Sequence, residues 1–130
     1  MKEELTIQEV AEQTGLSVHT LRYYERVGLL DPVGRATSGH RRYTGDDLIW
    51  VSFLKCLRAT GMSIRQMQEF ADLRRQGSGS ESERLAFLEA HQQLVREDLR
   101  RLEDYLAVIE RKINSLRTAL SEEAQLVIRS

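Results

Sequence analysis

Five arginines, Arg22, Arg26, Arg35, Arg41 and Arg42, lie between Val18 and Tyr43 against two acids, Glu25 and Asp31. The stretch therefore carries a surplus of 5 − 2 = 3 positive charges in a chain whose formal net charge is −1. Tyr23, Tyr24 and Tyr43 are interleaved with them. Guanidinium groups and flat rings on a small scaffold suit a phosphate backbone, which offers negative charge, acceptor oxygens and flat sugar and base faces. The other reactive side chain is Cys56, the single cysteine. One thiol makes neither an internal disulfide nor a Cys-rich zinc site. His19, His40 and His91 stand too far apart in sequence to form a recognisable ligand set, so no metal is expected. Nothing beside Cys56 supplies a base, an oxyanion site or a cofactor loop, so neither catalytic residues nor a cofactor are expected.

The elements that must position these residues can be read in order. Thr6-Ile7-Gln8-Glu9 is a capping box, with Ile7, Val10 and Ala11 following at helical spacing until Gly15. Ser17 is a fitting N-cap for a second helix carrying Val18, Leu21 and Tyr24 or Glu25 on successive turns. Ala11, Gly15 and Leu21 match helix-turn-helix spacing: a small residue for close approach, a glycine for the turn, an apolar anchor in the second helix. Spacing of that kind also fits any pair of short packed helices. From Leu29 to Tyr43, Pro32, Gly34 and Gly39 forbid a helix, and a hairpin there would hold Arg35 on one side and Arg41 and Arg42 on the other. Thr44 to Asp47 opens a further helix with acidic charge in its first turn, and Ser63 to Gln66 is another capping box. Residues 76–82, QGSGSES, read as the one clear linker.

The last segment has the strongest period. Leu85, Leu88, Gln92, Val95, Leu99, Leu102, Leu106, Ile109, Ile113, Leu116 and Leu120 alternate three and four apart, and ten of these eleven are apolar. A 3.5-residue repeat of this length predicts a coiled coil. From Glu81 to Leu120 such a helix would run roughly 60 Å, too long for a head of this size to cover. A homodimer is therefore expected, parallel or antiparallel on the pattern alone. The resulting division is a head at 1–76, a linker at 77–82, and a dimerisation helix with its tail at 83–130.

At 130 residues, with charged residues at 30% and hydrophobic residues at 41%, the chain suits one compact domain with an extension. No apolar run approaches membrane-spanning length, and MKEELTIQEV lacks the apolar core of a signal peptide, so a cytoplasmic setting without membrane partners is expected.

T-I-Q-E-V-A-E-Q-T-G-L-S, then T-L-R-Y-Y-E-R-V-G-L-L, R-x-x-S-G-x-R-R-Y and G-M-S-I, together resemble the MerR family of bacterial transcription regulators over about residues 5–76. The resemblance implies a mainly α fold: a winged helix-turn-helix head with a small β-hairpin wing, followed by a long dimerisation helix forming an antiparallel coiled coil. It also implies double-stranded promoter DNA as partner, a pseudo-palindromic operator inside an over-long spacer, and an activated dimer that bends and untwists it for RNA polymerase. Carried over residue by residue, it places Ser17 at the start of the recognition helix and His19 and Thr20 near base edges. Arg22 and Tyr23 would contact bases or phosphates from the same helix. Arg41 and Tyr43 would hold the flanking backbone from the wing, with Arg35 nearby and Tyr24 in a supporting role. His40 departs from the tyrosine usual after that glycine; its ring is smaller and titratable, so a weaker or pH-dependent wing contact is expected there.

The run W-V-S-F-L-K-C-L-R-A-T-G-M-S-I further resembles a subgroup that responds to aldehydes and other electrophiles through one cysteine on this helix, here Cys56. Lys55 or Arg58, if near, would favour its thiolate, which would add to a reactive carbonyl or be oxidised. The bland alternative is a small buried hydrophobe. The inducer would then be a reversibly bound small molecule; an architectural DNA binder with no effector is a third reading.

Overall fold

The computed structural model describes residues 4–31 and 42–129. These form five helices: α1, Ile7–Thr14; α2, Val18–Arg26; α3, Gly45–Ala59; α4, Ile64–Gln76; and α5, Glu81–Arg129. Three of them start on reciprocal caps written in the sequence. Thr6 Oγ1 accepts the Glu9 amide at 3.1 Å while Glu9 accepts the Thr6 amide at 3.1 Å. Thr44 with Asp47 and Ser63 with Gln66 repeat the arrangement, each satisfying two amides that a helix start leaves open.

The chain divides into two units, residues 1–91 and 92–130. In the first, α1 packs on α2 and α3, and α3 on α4. One core joins Val10 of α1, Leu21 and Tyr24 of α2, Trp50, Val51, Leu54 and Leu57 of α3, and Met67, Phe70 and Ala71 of α4. Leu29, Leu30 and Tyr43 close it. Leu5 and Tyr43 form an isolated antiparallel bridge, exchanging bonds of 2.7 and 2.8 Å. The expected β-hairpin, between these points, falls largely on residues 32–41, outside the described residues.

The glycine- and serine-rich run is a built turn. Gly77 and Gly79 take φ of 65° and 100°, a region that favours glycine. Ser80, 2% exposed, offers its hydroxyl proton to the carbonyls of Leu73 and Gly77, each at 2.8 Å, and accepts from Arg84 Nε at 3.0 Å. The first turns of α5 then belong to the head. Phe87 and Leu88 pack against its core, with Phe87 5.6 Å from Phe70 between ring centroids. Leu88, assigned by its period to an intermolecular seam, is thus partly used inside the chain.

The second unit is the remainder of α5. Between Gln92 and Arg129 no residue is buried. Leu99, Leu102, Leu106, Ile109, Ile113, Leu116 and Leu120 all stand exposed.

Candidate nucleic-acid interface

The helix-turn-helix is held at its turn from two sides. Gly15 caps α1 in the left-handed region at φ 75°, and a Cβ there would also meet Lys55 Nζ at 2.9 Å. That ammonium donates to the Thr14 carbonyl at 2.6 Å, placing a cation on the last turn of α1, where the helix dipole favours it. Thr14 buries its hydroxyl against the Val10 carbonyl at 2.7 Å.

Leu21 and Tyr24 face α2 inward, both buried. Burial pushes the Tyr24 phenol above its ordinary pKa, more than the Arg58 charge pulls it down. At 100° per residue, His19, Arg22, Tyr23 and Arg26 fall within about 100° of arc on the other side, and all four are exposed. Ser17 Oγ accepts the Thr20 amide at 3.0 Å and donates to Thr20 Oγ1 at 2.9 Å. The Ser17 proton is thereby committed, while the Thr20 hydroxyl keeps its own to offer. The Arg26 guanidinium lies 5.9 Å from the Tyr23 ring centroid, within cation–π range. Arg26 was absent from the expected contacts. Its place one turn beyond Arg22 and Tyr23 is the signal that identifies it.

The exit of this helix is latched at three consecutive carbonyls. Gln68 Nε2 donates to Val27 at 2.8 Å, Arg75 Nη2 to Gly28, and Trp50 Nε1 to Leu29 at 2.9 Å. Arg75 also binds Asp31 at 2.7 Å. These side chains of α3 and α4 satisfy carbonyls that a helix end leaves open and hold the chain where it leaves α2.

Of the expected wing contacts, Arg35, His40 and Arg41 lie outside the described residues. Tyr43 is wholly buried in the core. Its ring serves the fold, so burial withdraws it from the surface set. Arg42, exposed, pairs with Glu4 at 2.8 Å.

Cys56 is exposed, which removes the buried-hydrophobe alternative. It sits on the face of α3 turned from Val51, Leu54 and Leu57, alongside the exposed Ile49 and Ser52. Neither expected activating cation serves it: Lys55 is bound to Thr14, and Arg58 Nη1 donates to the Met62 carbonyl at 3.2 Å. The Cys56 carbonyl instead accepts the Thr60 hydroxyl at 2.8 Å, and Thr60 Oγ1 lies 2.8 Å from His91 Nε2 on α5. Among the described residues no group of three or more His, Cys, Asp or Glu side chains could hold a metal ion. Nor is any helix long and apolar enough to cross a membrane.

A cationic, polar helix face presented by a capped helix-turn-helix, with its exit latched to the scaffold, defines a reader of double-stranded DNA. The family model of the MerR HTH regulatory proteins matches residues 5–73, and that described as MerR, DNA binding matches 48–111. An uncharacterized HTH-type transcriptional regulator of Haemophilus influenzae is 40% identical over 108 residues, covering 83% of this chain and 80% of that one. The HTH-type transcriptional regulator AdhR of Bacillus subtilis is 48% identical over 73 residues, 56% of this chain and 52% of its own. Among solved structures, HiNmlR, a MerR family regulator lacking the sensor domain and bound to promoter DNA, superposes with a TM-score of 0.74 at 40% identity, covering 79% and 78%. This chain belongs to the MerR family: it is a DNA-binding transcriptional regulator, not an enzyme.

Proposed function

We propose that the chain acts as a homodimer on a pseudo-palindromic operator, distorts the promoter so that RNA polymerase can engage it, and answers to reactive aldehydes or related electrophiles through Cys56. The observation that carries the inducer is the exposure of the thiol on α3, together with the likeness of its surrounding run to an electrophile-responsive subgroup. The chemistry needs no oxidant. Sulfur bonds to the carbonyl carbon, the C=O π pair moves to oxygen, and the thiol proton ends there. The adduct then sits one helical turn from Thr60, whose hydroxyl ties the Cys56 carbonyl to His91 on α5, a short route from sulfur to the dimerisation helix. The dimer is supported by the exposed stripe from Leu99 to Leu120, which a second copy in antiparallel register would cover. His19, Thr20, Arg22, Tyr23 and Arg26 would read DNA from α2, with Ser17 holding Thr20, and Arg35, His40 and Arg41 would grip the backbone from the wing.

Two measurements test this. Alkylation of Cys56 in the folded dimer, followed by mass spectrometry across pH, should be as fast as for an open thiol. Reaction only after denaturation would exclude direct sensing. In a promoter-reporter assay Cys56→Ser should abolish aldehyde induction at unchanged operator affinity, whereas a reversible-ligand regulator would keep it. For the interface, Arg22→Ala should cost about 1–3 kcal/mol of operator binding and lower the salt slope by about one if it grips phosphate.

A further inference from the structure

A cleft of about 380 Å³ opens on the head where α3, α4 and the first turns of α5 meet. Its walls are Ile49, Trp50, Phe53 and Phe70, with Arg74 and Arg84 at the side. The volume lies in the range of small-molecule sites. The rings form one cluster, Trp50 stacked on Phe70 at 6.0 Å and Phe53 tilted against both, 6.3 Å from Trp50 and 5.9 Å from Phe70 between centroids. Phe87 backs them at 5.6 Å from Phe70. Ile49, 70% exposed, forms an open apolar rim.

The two guanidiniums are positioned and incompletely neutralised. Arg74 lies over the Trp50 ring at 4.2 Å and makes no ion pair among the described residues. Arg84 is aimed by its bond to the buried Ser80 and meets only Glu81, at 3.6 Å on the helix surface. Asp46 is the one acid in the lining, and Glu81 stands beside Arg84, which leaves Arg74 as the guanidinium with no ion pair among the described residues. Arginine's planar fork matches a carboxylate in particular.

We propose that this cleft binds a small carboxylate with a flat apolar body, the ring or chain against Phe53, Phe70 and Ile49 and the carboxylate on Arg74 and Arg84. The site makes no use of Cys56, so it stands or falls apart from the thiol reading. It has a route to the DNA-reading helix, because Trp50, beneath Arg74, holds the Leu29 carbonyl at the exit of α2.

The chain's single tryptophan is Trp50, so its emission reports the cleft directly. The full-length protein is titrated with 3-phenylpropionate and with the neutral 3-phenylpropanamide, and calorimetry provides a reading independent of emission. The expected result is saturable binding of the acid, about tenfold weaker for the amide, with a comparable loss in both Arg74→Gln and Arg84→Gln and retention in Cys56→Ser. Equal affinity for acid and amide, unchanged affinity in both arginine variants, or no saturable binding by either method would overturn the proposal. So would a Trp50 emission that shifts on dilution of the ligand-free protein and reverts on concentration, because the cleft would then be filled by a second copy of the chain.

Discussion

Val10, Leu21, Val51, Leu54 and Met67 are all fully buried within residues 1–91, whereas Leu99, Leu106, Ile113 and Leu120 of α5 are each at least 40% exposed. Both sets recur at helical spacing and draw on the same apolar residue types. The difference is whether the same chain supplies the covering surface. In the head, turns at Gly15, Gly28 and Ser80 return each helix onto its neighbours. From Gln92 to Arg129 there is no turn, and the stripe is offered outward. One region thus completes its burial by itself, and the other leaves its apolar stripe exposed, which is the ground for the proposed homodimer.

The largest effect should come from charging the stripe. In the proposed homodimer, Leu106→Lys with Ile113→Lys would put ammoniums into the seam from both chains in place of apolar side chains, costing the pairing roughly 4 kcal/mol or more. Sedimentation velocity should then show a monomer whose head still melts where it did. A head that melts much earlier would show that the two regions are not separable. Leu54→Ala, in the middle of the head core, should cost about 2–5 kcal/mol of denaturant stability while leaving self-association through the stripe intact. Ser80→Ala strips the hydroxyl from the turn that brings α5 back to the head and should cost about 1–2 kcal/mol.

The smallest effect concerns Glu81. Its carboxylate accepts backbone amides, its own and that of Gly79, and sits near Arg84, which together hold its pKa below the ordinary carboxylate range. A carboxylate whose folded pKa is lowered stabilises above its unfolded value and loses that contribution as pH falls through the folded one. Thermal unfolding from neutral pH to below pH ~4 should therefore be slightly less acid-sensitive in Glu81→Gln, with no change in stripe-mediated association.

Much of this was open to sequence reasoning because it rests on local chemistry. Thr6, Thr44 and Ser63 cap their helices through partners three residues on, and the family likeness, with the fold it implied, came from the motif residues between Thr6 and Ile64. The latches at Val27, Gly28 and Leu29 could not be read the same way. Gln68, Arg75 and Trp50 reach them across 41, 47 and 21 residues, and no spacing rule encodes those pairings. Lys55 shows the cost: adjacency in sequence tied it to Cys56, yet it lies about 100° round the helix from its neighbour and reaches Thr14 instead. Tyr43 misled for a related reason, since motif position suggested a surface ring while the Leu5 bridge turns it inward. Ser80 was hidden by composition, because a glycine–serine run reads as a linker until its hydroxyl is found buried.

Phe87 has a consequence for the order of events during synthesis. Its ring completes the aromatic group around Phe70, so the head closes fully only after the start of α5 has left the ribosome. Leu99 to Leu120 emerge later still. The residues that complete the head thus all leave the ribosome before the stripe does, an order that suits a domain folding as a unit during translation ahead of the proposed pairing.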